Sequence, residues 1–269
     1  MPDIIDLIRR WWKQMLAVVL LSLLAVGVIT FLKPRLYLSV ATAVPASSFL
    51  SDKSKIFNEN IQELYSTLGT PDDLDMIVGT STLDTVYLTV TDGFNLFDHY
   101  KVSEKGKDAR MKAALLLRGN SKVMKSEYGE LKVKVWDTDK NLAPQLANAI
   151  LDKLQSIHQH LQSAGNETTL KGLIAGKEKL QAKFDSSGAS PEKRNLLQAQ
   201  LLQYEKIISE YQLMIDSKPP SLITIEKARP SSWPDKPRRM QILMATAVIS
   251  LLFAFFAALI MERRKTSRQ

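Results

Sequence analysis

The sequence predicts an α+β membrane protein, with two transmembrane helices flanking an extracytoplasmic α/β base that carries a long antiparallel helical hairpin. Three observations predict it. Two long uncharged apolar runs lie near the two ends of the chain. Between them, short segments with β-type alternation sit beside segments of helical period. Two further helical stripes, joined by a short turn, complete the pattern.

The chain has 269 residues, enough for one sizeable domain beside its anchors. Hydrophobic residues make up 45% and charged residues 24%, ordinary globular usage rather than disorder. The net charge of +8 raises nucleic acid as a partner. The basic residues are spread along the chain without an aromatic-basic reading surface, so no nucleic-acid role is expected. Cysteine is absent, which excludes disulfides, zinc–cysteine sites, iron–sulfur clusters and thiol catalysis.

Met15 to Leu32 is uncharged and, at about 1.5 Å per residue, nearly crosses a hydrocarbon core roughly 30 Å thick. Gln241 to Met261 is equally uncharged and slightly longer. The expected spans are 15–32 and 240–261. The first run exceeds a signal-peptide core, and Lys33, Pro34 and Arg35 follow it at once, so an uncleaved anchor is expected. Arg9, Arg10 and Lys13 precede the first span, and Arg263, Arg264, Lys265 and Arg268 follow the second. Positive charge marks the cytoplasmic side, so both tails, 1–14 and 262–269, are expected in the cytoplasm of a bacterial inner membrane, with the central domain periplasmic. Lys33, Arg35, Lys236, Arg238 and Arg239 weaken that asymmetry from the other side. Trp11, Trp12, Tyr37 and Trp233 flank the spans as interfacial aromatics.

The base is expected over 33–138 with 218–239. Leu36 to Val44 reads as a strand ended by Pro45. Ile56, Ile61, Leu64 and Leu68 have helical spacing, and Pro71-Asp72-Asp73 reads as a helix start. Thr80 to Leu96 fits a strand or a helix equally. Lys107 to Leu117 reads as a helix ending near Gly119. Lys122 to Trp136 reads as a β-hairpin around Gly129, with Leu131, Val133 and Val135 on its buried face.

The hairpin is expected over 139–217. Asp137, Asp139 and Asn141 offer N-caps, and Pro144 falls in the first turn. Leu142, Leu146, Ile150, Leu154, Ile157 and Leu161 form one apolar stripe, continued by Leu170, Leu173, Leu180 and Phe184. Gly165, Gly172 and Gly176 would weaken this helix of about forty residues. A turn ends in Ser190-Pro191, an N-cap followed by proline. The second helix has seam spacing at Leu197, Leu201, Tyr204, Ile208, Tyr211 and Ile215. Ser221 to Lys227 then reads as a returning strand, and prolines 230, 234 and 237 as an extended, stiff approach to the second span.

No catalytic constellation emerges. Asp137-x-Asp139-x-Asn141 begins like a calcium loop, but Leu142 stands where glycine is needed and Asn148 where the bidentate glutamate belongs. His158 and His160 point to different helix faces, and with His99 they are expected to be solvated. Asp72, Asp73 and Asp75 read as helix-start charges. Asn166-Glu167-Thr168 is read as a chance glycosylation sequon. Thr246, Ser250, Ala254 and Ala258 place small residues on one face of the second span, a spacing suited to helix packing. No cofactor or metal is expected.

The segment ARPSSWPDKPRR before the second span resembles the chain-length determinant (Wzz-type) family of polysaccharide co-polymerases. That family shows an alanine, prolines every third residue and a basic pair. Ala228, Pro234, Pro237, Arg238 and Arg239 match; Pro230 departs, since the register would put proline at Ser231. KVKVWDTDKNLAPQLANAILDKL is similar to the family's strand, acidic turn and alanine–asparagine helix, at Asp137, Asp139, Ala143, Ala147 and Asn148. LYLSVATAV after the first span is a third match.

The resemblance implies a non-enzymatic regulator or scaffold of surface polysaccharide (lipopolysaccharide O-antigen, capsule or exopolysaccharide) polymerisation, chain length or export. It implies a ring-like homo-oligomer working with a polysaccharide polymerase or export machinery, and with the growing polysaccharide as a candidate partner. Some relatives carry a fused tyrosine kinase; no phosphate-binding Gly-x4-Gly-Lys loop is present here, so any kinase is expected on a separate chain. The competing readings are a two-span extracytoplasmic sensor and a secretion or efflux adaptor. A sensor usually needs a cytoplasmic output, which eight residues could supply only through a partner, and adaptors of that type usually have one anchor.

Overall fold

The computed structural model describes residues 4–46, 71–103, 106–186 and 191–266. The expected helix at Ile56–Leu68 and the Ser190 cap lie outside them. The elements in order are α1 (Ile4–Leu32), β1 (Tyr37–Pro45), α2 (Pro71–Thr80), α3 (Asp84–Phe94), α4 (Leu96–His99) and α5 (Lys107–Gly119). They continue with β2 (Ser121–Lys125), β3 (Leu131–Asp137), α6 (Leu142–Ser186), α7 (Pro191–Ser217), β4 (Leu222–Glu226) and α8 (Arg239–Thr266). The protein is thus the mixed helix and sheet chain expected: apolar helices near both ends, a small sheet and a long helical hairpin.

Contacts divide the chain into two compact units. One comprises Met1–Leu38, Asp137–Lys140 and Ser231–Gln269; the other comprises Ser39–Trp136 and Asn141–Pro230.

In the larger unit the sheet order is β2-β3-β1-β4. β2 and β3 form the expected antiparallel hairpin, with Val123 opposite Val133. β4 returns antiparallel to β1, with a register irregularity between Thr42 and Ala43. Alternation in β3 is complete: Leu131, Val133 and Val135 are buried and the lysines between them are not. Small Ala41 and Ala43 line the buried face of β1.

The ambiguous segment is helix α3. Val86, Tyr87, Val90 and Thr91 are all buried. A strand would send Val86 and Tyr87 to opposite faces, whereas positions i, i+1, i+4 and i+5 share one helical face. Asn95, in left-handed backbone at φ 51°, ends α3 by donating its N–H to the Thr91 carbonyl. Arg110 and Arg118 tie α5 to α3 through Asp92 and Asp84.

α6 runs 45 residues without interruption. Its three glycines therefore weaken it without breaking it. Its first part is core: Leu146, Ile150, Leu151 and Leu154 join Leu74, Ile77, Val86, Leu117 and Leu131 in one cluster. Burying a branched side chain of this size stabilises by about 1.5–3 kcal/mol, so the base, rather than helix propensity, anchors the hairpin. Two expectations fail here. His158 is buried rather than solvated, because it lies four residues past Leu154 on the core face; its Nε2 is 3.1 Å from Thr80 Oγ1. Leu161 is exposed, because the core stripe has rotated past it where α6 leaves the base.

In the smaller unit α1 begins at Ile4, inside the stretch expected as a tail. No glycine or proline lies between Ile4 and Met15 to stop the helix. Among the described residues, the stretches apolar enough to cross a membrane are Arg9–Leu32, 24 residues, and Arg239–Arg263, 25 residues. Each is about 36 Å long at helical rise, sufficient for a span.

Candidate functional site

The residues that carry the family resemblance are held by a small set of directed contacts. β4 ends at Glu226, and among the described residues no strand pairs with the chain immediately beyond it. Asn148, on α6, supplies a partner. Its Oδ1 accepts from the Ala228 N–H at 2.9 Å, and its Nδ2 lies 3.5 Å from the Ala228 carbonyl oxygen. A carboxamide carries one acceptor and one donor group in the same spacing as a peptide edge, so it can stand in for a missing strand. Ser39 Oγ donates to the Arg229 carbonyl at 2.8 Å from β1. Ala228 is buried, and a larger side chain would meet the core. Sequence reading noted Asn148 and Ala228 in separate motifs; nothing in their 80-residue separation signalled that they bond each other.

The rest of the proline-spaced segment lies in the smaller unit. It is not one extended rod. The chain bends at Ser232 and Trp233, and Ser231 Oγ donates to the Trp233 carbonyl at 2.8 Å. It then pairs with the chain leaving α1: Asp235 N–H donates to Leu36 O and Leu36 N–H to Lys236 O, each at 2.9 Å. Prolines 234 and 237 flank this pair and, having no N–H, cannot extend it. The Lys236–Pro237 peptide is cis. Arg238 pairs with Asp235 at 3.3 Å, and the Arg239 guanidinium stacks over Phe31, 4.5 Å from the ring centre. An open cleft of about 570 Å³ results, lined by Arg35 and by the chain from Trp233 to Gln241.

α1 and α8 are antiparallel. At one end Arg10 and Trp11 both donate to Glu262, at 2.9 and 2.8 Å; at the other, Arg239 meets Phe31. Along α8, Ser250, Ala254 and Ala258 are buried and Thr246 half-buried, and α1 is the helix that packs against α8. Thr246 and Ser250 bond carbonyls of their own helix, at Ile242 and Ala247, so this face packs by size and not by hydrogen bonds across the pair. The outward faces carry Leu20, Leu21, Leu24, Val248, Ile249 and Phe253, all exposed. An uncovered apolar surface of that extent requires lipid or another chain.

In the hairpin, Leu201 is buried and Leu197, Tyr204, Ile208, Tyr211 and Ile215 are half-buried. Met214, which heptad counting passes over, is buried beside them. Tyr204 lies across Gly176, and Lys177 pairs with Glu205 at 2.8 Å. Asp137 Oδ1 accepts from the Asp139 N–H at 2.8 Å, a turn contact that uses an oxygen a calcium loop would need. His160 is exposed, the His99 ring meets that of Tyr100 at a tilt of 57°, and Asp75 pairs with Lys125 at 3.1 Å.

No family profile matches the chain, and no curated protein matches it. Solved structures do. One is a full-length bacterial polysaccharide co-polymerase, 11% identical, covering 99% of this chain and 98% of its own, at a TM-score of 0.40. Another is a fragment of WzzB, a polysaccharide co-polymerase from Salmonella Typhimurium, 12% identical, covering 76% of this chain and 100% of its own, at a TM-score of 0.28. Both are polysaccharide co-polymerases.

Proposed function

We propose that this chain is a non-catalytic regulator and scaffold of surface-polysaccharide polymerisation, chain length or export. The observation that carries the reading is the Asn148–Ala228 clamp. Two motifs with the same family resemblance, far apart in sequence, bond to each other at 2.9 Å. Residues that look like family signatures thus share one structural task, which is to fix where the proline-spaced segment starts.

The chain sits in a bacterial inner membrane, with both termini in the cytoplasm and the base and hairpin outside. The antiparallel α1–α8 pair supports that topology, since Arg10 and Glu262 meet at one end. Several copies assemble as a ring, and the exposed apolar faces of the spans are available to neighbours or to a polymerase. The work is positional rather than chemical, while a partner enzyme extends the sugar.

The test is a gel of surface polysaccharide from a strain lacking the gene, with complementation by wild type and by Asn148→Ala. Loss of a preferred length with sugar still made, restored by wild type and poorly by the variant, is expected. An unchanged length distribution in the deletion strain would refute the proposal.

A further inference from the structure

Five cations gather where α1 ends and α8 begins: Lys33, Arg35, Lys236, Arg238 and Arg239. This is an anomaly for a two-span protein whose other basic clusters mark the cytoplasmic side, because positive charge beside the opposite ends works against the orientation. Such a cluster needs a compensating role. Along the two chain segments that carry the five, the carboxylate is Asp235, and Arg238 pairs with it at 3.3 Å. Among the described residues Arg35 and Arg239 make no ion pair. Arg239 is instead placed over the Phe31 ring, 4.5 Å from its centre, a contact that does not neutralise the guanidinium.

The same residues line a cleft. Arg35, Arg238 and Arg239 border the open volume of about 570 Å³, within the range of small-ligand sites. Two apolar side chains stand at its margin almost uncovered: Trp233 is 81% exposed and Met240 72%. An exposed tryptophan beside a span end belongs at the headgroup level of a bilayer, where its ring meets acyl chains and its N–H meets polar groups. Guanidinium forks match phosphate oxygens in pairs, and a headgroup region that excludes water strengthens the contact.

We propose that this cleft binds the phosphate of an anionic lipid headgroup, with Arg35, Arg238 and Arg239 as phosphate ligands and Trp233 and Met240 against the lipid's apolar part. The site anchors the proline-spaced segment to the bilayer surface and offsets the orientation penalty of the five cations. It requires that α1 and α8 span a bilayer, and it does not require that the chain govern a polysaccharide. Failure of the polysaccharide gel test would leave it standing, and the reverse holds as well.

The experiment titrates full-length protein in neutral detergent with fluorescent phosphatidylglycerol, with phosphatidylcholine and with inorganic phosphate as competitor. Phosphatidylglycerol should bind about tenfold tighter than phosphatidylcholine, and the difference should shrink with added salt. Arg35→Gln and Arg239→Gln should each weaken phosphatidylglycerol about fivefold to tenfold, the loss of one charge-assisted contact. Asp235→Asn should tighten it, because it frees Arg238. Arg263→Gln, at the opposite end of α8, should change nothing and controls for net charge. Melting of each variant checks that it folds, and the gain from Asp235→Asn cannot come from misfolding. Equal binding of the two lipids, or variants that bind like wild type, would overturn the proposal. Displacement of the lipid by inorganic phosphate at low millimolar concentration would overturn the lipid source, showing a site for free phosphate instead.

Discussion

Replacing each glycine of α6 by alanine separates helix propensity from packing. In an open helix interior, Gly→Ala stabilises by about 0.5–1 kcal/mol, because alanine has less backbone freedom to lose. Gly165 and Gly172 meet that condition, since an added Cβ finds nothing within 4 Å. Gly176 does not. There the Cβ would lie 3.0 Å from Tyr204 Cε1, 3.1 Å from its hydroxyl oxygen and 3.4 Å from Cζ. Carbon atoms rest comfortably at about 3.5–4.0 Å, so the ring must give by roughly a few tenths of an ångström. Tyr204 is half-buried in the seam, and overpacking of that kind costs about 1–3 kcal/mol. The propensity gain is cancelled or exceeded. Gly176→Ala should therefore trail Gly165→Ala and Gly172→Ala by about 1 kcal/mol or more, roughly fivefold in amide protection. Hydrogen exchange over α6 in the full-length protein reads this directly. Tyr204→Ala in the Gly176→Ala background should restore the propensity gain. Equal protection in all three single variants would refute the contact between Gly176 and Tyr204. A loss at Gly165 or Gly172 would refute the open-space reading and place another chain against that face.

Three further outcomes follow from the contacts described. Asn148→Ala leaves the buried Ala228 N–H without its acceptor and should cost about 1–3 kcal/mol, measured by denaturant unfolding of the full-length protein. A neutral result would mean that solvent takes the place of the amide. Ala254→Leu forces a large side chain into the packed face of α8 and should lower resistance to detergent-induced unfolding by about 1–3 kcal/mol, while Val248→Leu on the exposed face should not. Asp92 is held below the ordinary aspartate value by its hydrogen bonds from Arg110, and Glu130 below the glutamate value by Lys132 and Ser126. A depressed folded-state pKa contributes stability above the unfolded value and loses it as pH falls through the folded one. Asp92→Asn should therefore melt slightly below wild type at neutral pH, and the two curves should converge in strong acid; a gap that persists there would assign the effect to packing. The pair is half-exposed, so the neutral-pH gap should be small and salt-sensitive.

Most of the architecture was legible because it rests on period and length. The apolar runs have no charge to interrupt them, β3 alternates without a fault, and α7 keeps its seam spacing. Segments with two compatible periods were not legible. Thr80 to Leu96 satisfies both templates, and only the shared burial of Val86 and Tyr87 shows that α3 is a helix. His158, expected to be solvated on polarity, is buried because its position puts it on the core face of α6. The site was half legible: its residues could be picked out as motifs, but the bond between Asn148 and Ala228 and the cleft at Arg35 join residues distant in the chain.

The sequence by itself determined the class of this protein, two anchors around an α/β base and a hairpin, and it singled out the proline-spaced segment. These follow from local pattern, since hydrophobic burial selects a period wherever one face must leave water. Tertiary structure alone decided that α6 begins inside the base core, that α1 is the helix that packs against α8, and that a carboxamide holds the segment after β4. Those are choices among partners, made when distant groups compete to satisfy one another's volume and hydrogen bonds, and no local pattern records which partner wins.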